Sequence, residues 1–388
     1  KSERTAKRPA REETEVNQEN LQKAIALRHE LHTHPVLSNH ETWTKARLMD
    51  FLRQNTSRLE IIDKGSWFYA AYRAGGDCKG VAFRADFDAV PVADELDVPY
   101  VSAFPGVGHK CGHDGHSASL AALAMEIDQQ GADKNVFFLF QHAEETGDGA
   151  KVCTELFQDE HVDEIFGYHN RPGIPLGMVQ VLDGTVYCGS EGVILDFQGT
   201  PSHACMPELG RNPAFAISDI IQKLGQLQDP AQYRGIALAT IIQVDVGERA
   251  FGTQASRGKL LLTIRSEYED DLQKLQDALE SLARERAAAY GLELSISYCD
   301  VFPNTVSHHS SNEKVRAVCR ELGIPCREMP EPYRSSEDFG HYTKVIPGAF
   351  FEIGSGEDCP ALHTVGMNFP DAIIETAVEL FRHLIDKV

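Results

Sequence analysis

The sequence predicts an α/β protein: a mixed, mainly parallel sheet flanked by helices, into which a second, smaller α+β unit is inserted. Three observations carry that expectation. Short apolar runs at 81–83, 136–140, 165–168 and 349–353 are separated in several places by helix-like segments, the pattern of a sheet covered on both faces. Between about 190 and 301 the order becomes strand, helix, strand, strand, helix, strand, which is that of the split ferredoxin-like unit. Sheet-type runs then resume, so the unit is inserted rather than appended.

Taken in order, residues 1–14 are charged and almost free of large apolar side chains, so a mobile N-terminal arm is expected over 1–15. Helical periodicity predicts helices over 16–31 and 41–55, with His34-Pro35 and Ser38-Asn39 marking the turn between them. The larger domain then comprises 16–189 and 304–388. The inserted unit spans 190–303, with strands at 193–197, 236–246, 259–265 and 292–298 and helices at 213–227 and 270–290.

At 388 residues and 42% apolar composition the chain can bury a sizeable core. Its apolar runs fall short of the roughly 18–20 residues that cross a bilayer, so no membrane partner is expected. A net charge of −21 without a basic stripe argues against nucleic acid. Nine scattered cysteines, without paired short spacing, suit a reducing cytoplasm.

Polar, metal-capable residues collect just past the apolar strands. Arg84-Ala85-Asp86-Phe87-Asp88 follows one, Gln141-His142-Ala143-Glu144-Glu145 a second, and His169-Asn170 a third. The carboxyl ends of strands in an open α/β sheet line a common crevice, so these groups are expected to converge. A fourth stretch, Gly108 to His116, precedes a helical run at 117–130; its glycines allow a tight turn, and a helix start favours thiolate or carboxylate charge. Within it Cys111 and His113 can face one cation, and His363 stands past Gly354-Ser355-Gly356. Thiolate, imidazole and carboxylate together suit Zn, Mn, Co or Ni better than Ca or Mg. An adjacent carboxylate pair can divide the work, with Glu145 as ligand and Glu144 as the base that moves a proton from water to the leaving amine. Asp86 and Asp88, two apart, either orient ligands and complete the metal shell or serve an ion pair with Arg84.

At these residues the chain resembles the M20 metallopeptidase family, in its amidohydrolase branch of aminoacylases, hippurate hydrolases and auxin-conjugate hydrolases. The resemblance runs from about Leu21 to the C-terminus. Its landmarks are Leu31-His32-Thr33-His34-Pro35, Arg84 to Pro91, Cys111-Gly112-His113-Asp114-Gly115-His116, Ala143-Glu144-Glu145, Gly167-Tyr168-His169-Asn170, Ser202 to Pro207, Ser336-Glu337-Asp338-Phe339 and Leu362-His363.

The resemblance implies a zinc-exopeptidase-like catalytic domain holding two divalent ions per subunit, with Cys111, His113, Glu145, His169 and His363 as ligands. It implies Glu144 as general base, Asp86 as an active-site aspartate with Asp88 behind the ligands, and metal-bound water attacking the amide of an N-acyl amino acid or similar small amide. The inserted unit becomes a lid that also forms a homodimer or higher assembly, carrying His203 to stabilise the oxyanion. Dipeptidase or carboxypeptidase action at the same centre, and a catalytically silent metal-binding scaffold, are the other readings. This chain departs from the branch at Pro201-Ser202, Glu208 and Gly252, leaving Gln254 and Arg265 as substrate-binding candidates. His32 and His34 are expected to be structural, and the 336–339 segment to anchor a loop near the site.

Overall fold

The computed structural model describes residues 16–76 and 78–388, so the arm expected over 1–15 lies outside the described residues. Helix α1 (Gln18–Thr33) starts two residues later than its periodicity suggests. The Asn17 side chain accepts the Glu19 N–H at 2.8 Å and caps it there. Pro35 lies just past its end, where a helix cannot continue. Helix α2 (Thr42–Asn55) follows as expected. Helix α3 (His113–Gln130) begins four residues earlier than expected, because Gly112 takes φ 109° as its N-cap. No other residue fits there: a Cβ on Gly112 would lie 2.2 Å from Asn170 Oδ1.

The strands in chain order are β1 (Glu60–Asp63), β2 (Phe68–Tyr72), β3 (Gly80–Asp86), β4 (Asn135–Gln141), β5 (Glu164–Arg171), β6 (Val179–Val181) and β7 (Gly184–Tyr187). They continue with β8 (Gly189–Gln198), β9 (Ala237–Val246), β10 (Arg257–Ser266), β11 (Glu293–Phe302), β12 (Thr305–Ser307), β13 (Cys326–Glu328) and β14 (Gly348–Gly354). The large sheet runs β1-β2-β4-β3-β5-β14-β6-β13. Its centre, β4-β3-β5-β14, is parallel, while β2 joins β4 and β6 joins β14 antiparallel. The mixed, mainly parallel sheet is the predicted fold class. β1, β6 and β13 are only three or four residues long, too short for a period to show in the sequence.

Apolar side chains fill both faces. One core packs α1, α3 and the C-terminal helix Ala372–Ile385 on the sheet, and a second, with Trp67, Phe137, Leu139 and Phe350, fills the opposite face. Parallel register sets Asp86 beside Gln141, so the carboxyl ends of β3 and β4 finish level and His169 emerges near the end of β5.

The inserted unit has its own sheet, β11-β8-β10-β9, antiparallel throughout. Helices Ala214–Leu227 and Glu269–Tyr290 bury its core, in the strand-helix order the sequence predicts. The outer edge strand β9 leaves Ile241, Ile242 and Val244 exposed.

Candidate metal centre

Five segments meet in the crevice. β3 ends on Asp86 with Asp88 just beyond, the turn after β4 delivers Glu144 and Glu145, β5 carries His169, Cys111 lies just before α3 and His113 is its first residue, and the loop after β14 carries His363. Cys111 Sγ lies 3.3 Å from His169 Nε2, and His363 Nε2 lies 3.2 Å from Glu145 Oε1. Among the described residues five ligand-like groups have their donor atoms within 4.8 Å of one another, and two of them contain the expected ligands, Cys111 with His113 and His169, and Cys111 with Glu145 and His363. Cys111 belongs to both. All five residues expected as ligands are thus brought together.

The tautomers are set from behind. His169 Nδ1 meets Asn170 O at 2.8 Å, and His113 Nδ1 meets Asp88 Oδ1 at 3.0 Å, so each ring turns Nε2 toward the crevice. Asp88 Oδ2 also accepts the Glu145 N–H at 3.0 Å. Asp86 stands one step back: Oδ1 meets His116 Nδ1 at 2.7 Å, Oδ2 accepts Arg84 Nη1 at 2.8 Å, and His113 Nε2 is 3.6 Å away. Of the two roles considered for Asp86, the Arg84 ion pair is therefore present.

The electrostatics call for a cation. His113 Nε2 is buried without a hydrogen-bond partner, and it stands 3.8 Å from Glu145 Oε1, whose near neighbour is His363 Nε2. Burial alone would lower the His113 pKa, but Asp86 and Asp88 outweigh it and hold the ring up to about 10. Burial, reinforced by Glu145, Glu144 and Asp86, pushes the Cys111 thiol well up, and burial with Glu337 and Glu145 does the same to Glu144. Burial and neighbouring positive groups keep His169 neutral, with its lone pair free for a metal. Soft and borderline donors around the unpartnered His113 Nε2 fit one or more divalent ions.

Other candidates lie elsewhere. His203 is exposed, bridges to Thr253 and turns Nδ1 to the Cys205 N–H at 3.2 Å. Gln254 binds Ser202 Oγ and the Pro207 carbonyl, and Glu208 and Gly252 are exposed on the same tip. Arg265 sits at the opposite end of β10, where its Nη1 donates to Ser336 Oγ at 2.7 Å and to Arg334 O at 3.1 Å.

Sequence reasoning left several participants unassigned. Arg84, fully buried, gathers Asp86, Glu337, Asp338 and Gln141 around its guanidinium. The 336–339 segment therefore does anchor the site, as expected. His116, inside the Cys111–His116 stretch, has both nitrogens engaged, by Asp86 and by Asn170 Oδ1 at 2.8 Å, and so supports the centre instead of binding metal. His32, expected to be structural, is sealed between Asp94 and Asp114.

Comparison with known proteins agrees with this geometry. Hydrolases of uncharacterized specificity from Staphylococcus aureus and Staphylococcus haemolyticus are 28% and 29% identical over 373 and 374 residues, each covering 92% of this chain and 96% of its own length. The YXEP protein of Bacillus subtilis, described as a dinuclear metal-binding peptidase of the M20 family, matches with TM-score 0.81 and 25% identity over 95% of this chain and 98% of its own. An aminobenzoyl-glutamate utilization protein from Klebsiella pneumoniae shares the fold at TM-score 0.71 and 19% identity, over 96% of this chain and 98% of its own. The model of peptidase family M20/M25/M40 matches residues 82–387, and the chain belongs to that family of hydrolases.

Proposed function

We propose that the chain hydrolyses the amide bond of N-acyl amino acids or similar small amides at a dinuclear centre. One ion would be held by Cys111, His113 and His169, the other by Cys111, Glu145 and His363. The carrying observation is the placement of two buried atoms 3.8 Å apart, His113 Nε2, which has no hydrogen-bond partner, and Glu145 Oε1, which faces His363 Nε2 at 3.2 Å, each in a group that includes Cys111. Divalent ions there supply Lewis-acid chemistry, lowering the pKa of water and polarising the carbonyl. The donor set suits Zn, Mn, Co or Ni.

Glu144 is the base in this reading. Its Oε2 lies 3.9 Å from His113 Nε2, at the rim of both groups, and takes the proton of the attacking water. The same oxygen then returns the proton to the leaving nitrogen. A carboxyl whose surroundings raise its pKa is suited to hold a proton between those steps. Asp86 keeps His116 and Arg84 in place behind the ligands.

His203 and Gln254 lie beyond one end of β10 and Arg265 near the other, on the order of 25 Å apart at strand spacing. One lid therefore does not bring all three to its own centre. In the reading favoured here a second copy docks along the exposed edge strand β9, and its His203 and Gln254 approach the carbonyl oxygen and substrate, while Arg265 anchors the lid base. The free cysteines are compatible with a cytoplasmic setting.

Glu144→Gln tests the reading. With acetyl, benzoyl and dipeptide substrates, kcat should fall on the order of 10²–10⁴-fold while bound metal stays at the parent level. Undiminished turnover would sink it, and a preference for free amino termini would shift the substrate to peptides.

A further inference from the structure

Glu41 is a buried carboxyl that the proposed reaction leaves unused. It lies in the loop between α1 and α2, 5% exposed, and its Oε1 accepts the Ala143 N–H at 2.8 Å. Ala143 and Asn39 have φ of 46° and 66°, two of the four left-handed non-glycine residues among those described. For alanine that conformation costs roughly 1–2 kcal/mol and persists only where its surroundings hold it.

Ala143 is gripped at both ends. Its carbonyl accepts the N–H groups of Asp148 and Gly149 at 3.2 and 3.1 Å, and Glu41 holds its N–H. Glu144 follows immediately and Glu145 after it. The loop that carries Glu41 touches the centre twice more, through Ser38 Oγ on Asp88 Oδ2 at 2.8 Å and Asn39 Nδ2 on Asp148 Oδ2 at 3.2 Å.

We propose, resting on Glu144 as base and Glu145 as ligand, that Glu41 is a positioning residue: its oxygen fixes the left-handed Ala143 and so sets the direction in which the Glu144-Glu145 pair enters the crevice. This task needs an acceptor at the right reach and does not need negative charge. A side chain one methylene shorter leaves the Ala143 N–H unheld, while an amide of the same length still accepts from it.

The test compares Glu41→Gln, Glu41→Asp and Glu41→Ala in the full chain. Zinc affinity is read by chelator competition, and kcat and KM on N-acetyl amino acids are read at saturating zinc. For Glu41→Gln, affinity and kcat should stay within about threefold of the parent. For Glu41→Asp and Glu41→Ala, zinc affinity should fall about tenfold and kcat about 30-fold or more at similar KM, since misplacing a catalytic group by about 1 Å costs up to 10²-fold. The inference is overturned if Glu41→Asp keeps more zinc affinity than Glu41→Gln, or if all three match the parent. Thermal melts accompany each variant, and should Glu41→Ala fail to fold, the order of Gln and Asp decides. Glu144→Gln run alongside separates the two levels: its activity bears on the base assignment, whereas zinc affinity across the Glu41 series does not depend on it.

Discussion

Asp88 Oδ1 stands 3.0 Å from His113 Nδ1, while its Oδ2 takes the Glu145 N–H at 3.0 Å and the Ser38 hydroxyl at 2.8 Å. One buried carboxylate thus orients an imidazole from one loop and a carboxylate-bearing turn from another. Asp88→Ala should lower metal affinity about 10–100-fold. Chelator competition measures it, and an unchanged affinity would mean that the ring and turn are held by other contacts.

Arg84 is buried against three carboxylates, Asp86, Glu337 and Asp338. Removing the guanidinium while keeping its bulk leaves those groups without their counter-charge. Arg84→Met should destabilise the fold by about 3–5 kcal/mol, read by urea unfolding. A loss below about 1 kcal/mol would show that the carboxylates share protons readily once the arginine is gone.

The edge strand β9 presents Ile242 60% exposed, with Ile241 and Val244 beside it. If a second copy covers this edge, Ile242→Asp should halve the mass measured by light scattering and reduce kcat/KM, because His203 and Gln254 would no longer arrive from the partner. A parent protein that is monomeric at full activity excludes that arrangement.

Burial, with Asp88 adding to it, raises the Glu41 pKa to about 7 from an ordinary 4.5. Between those values the folded chain keeps a proton that the unfolded chain has released. The favourable contribution is therefore present below about pH 4.5 and is lost as pH rises toward 7, up to about 3 kcal/mol in all. Urea midpoints of the metal-free protein should fall across that window, and Glu41→Gln should flatten this part of the profile. A parallel profile in the variant would assign the pH dependence to other groups.

Much of the centre was legible because strand ends are legible. Apolar runs announce β3, β4 and β5, and the metal-capable residues follow them at once in sequence. The resemblance gave the same ligands and base and added the lid role of His203, and the structure brings the five ligand candidates into overlapping groups. Glu41 and Arg84 were not legible as site residues. A lone glutamate in a turn has no period, and Arg84 acquires its meaning from Glu337 and Asp338, which follow it by about 250 residues.

The sequence by itself determined the fold class, the inserted strand-helix pattern and the chemical types of the ligand candidates, since each is written in local periodicity or adjacent residues. Only the tertiary structure decided which of those residues meet. It separated His203 and Gln254 from Arg265 along β10, drew Asp86 back to Arg84 and His116, and strained Ala143 against Glu41. Those outcomes depend on hydrogen bonds and charge pairs between distant segments, which arise when the two cores of the large domain close on the sheet and set its loops in register.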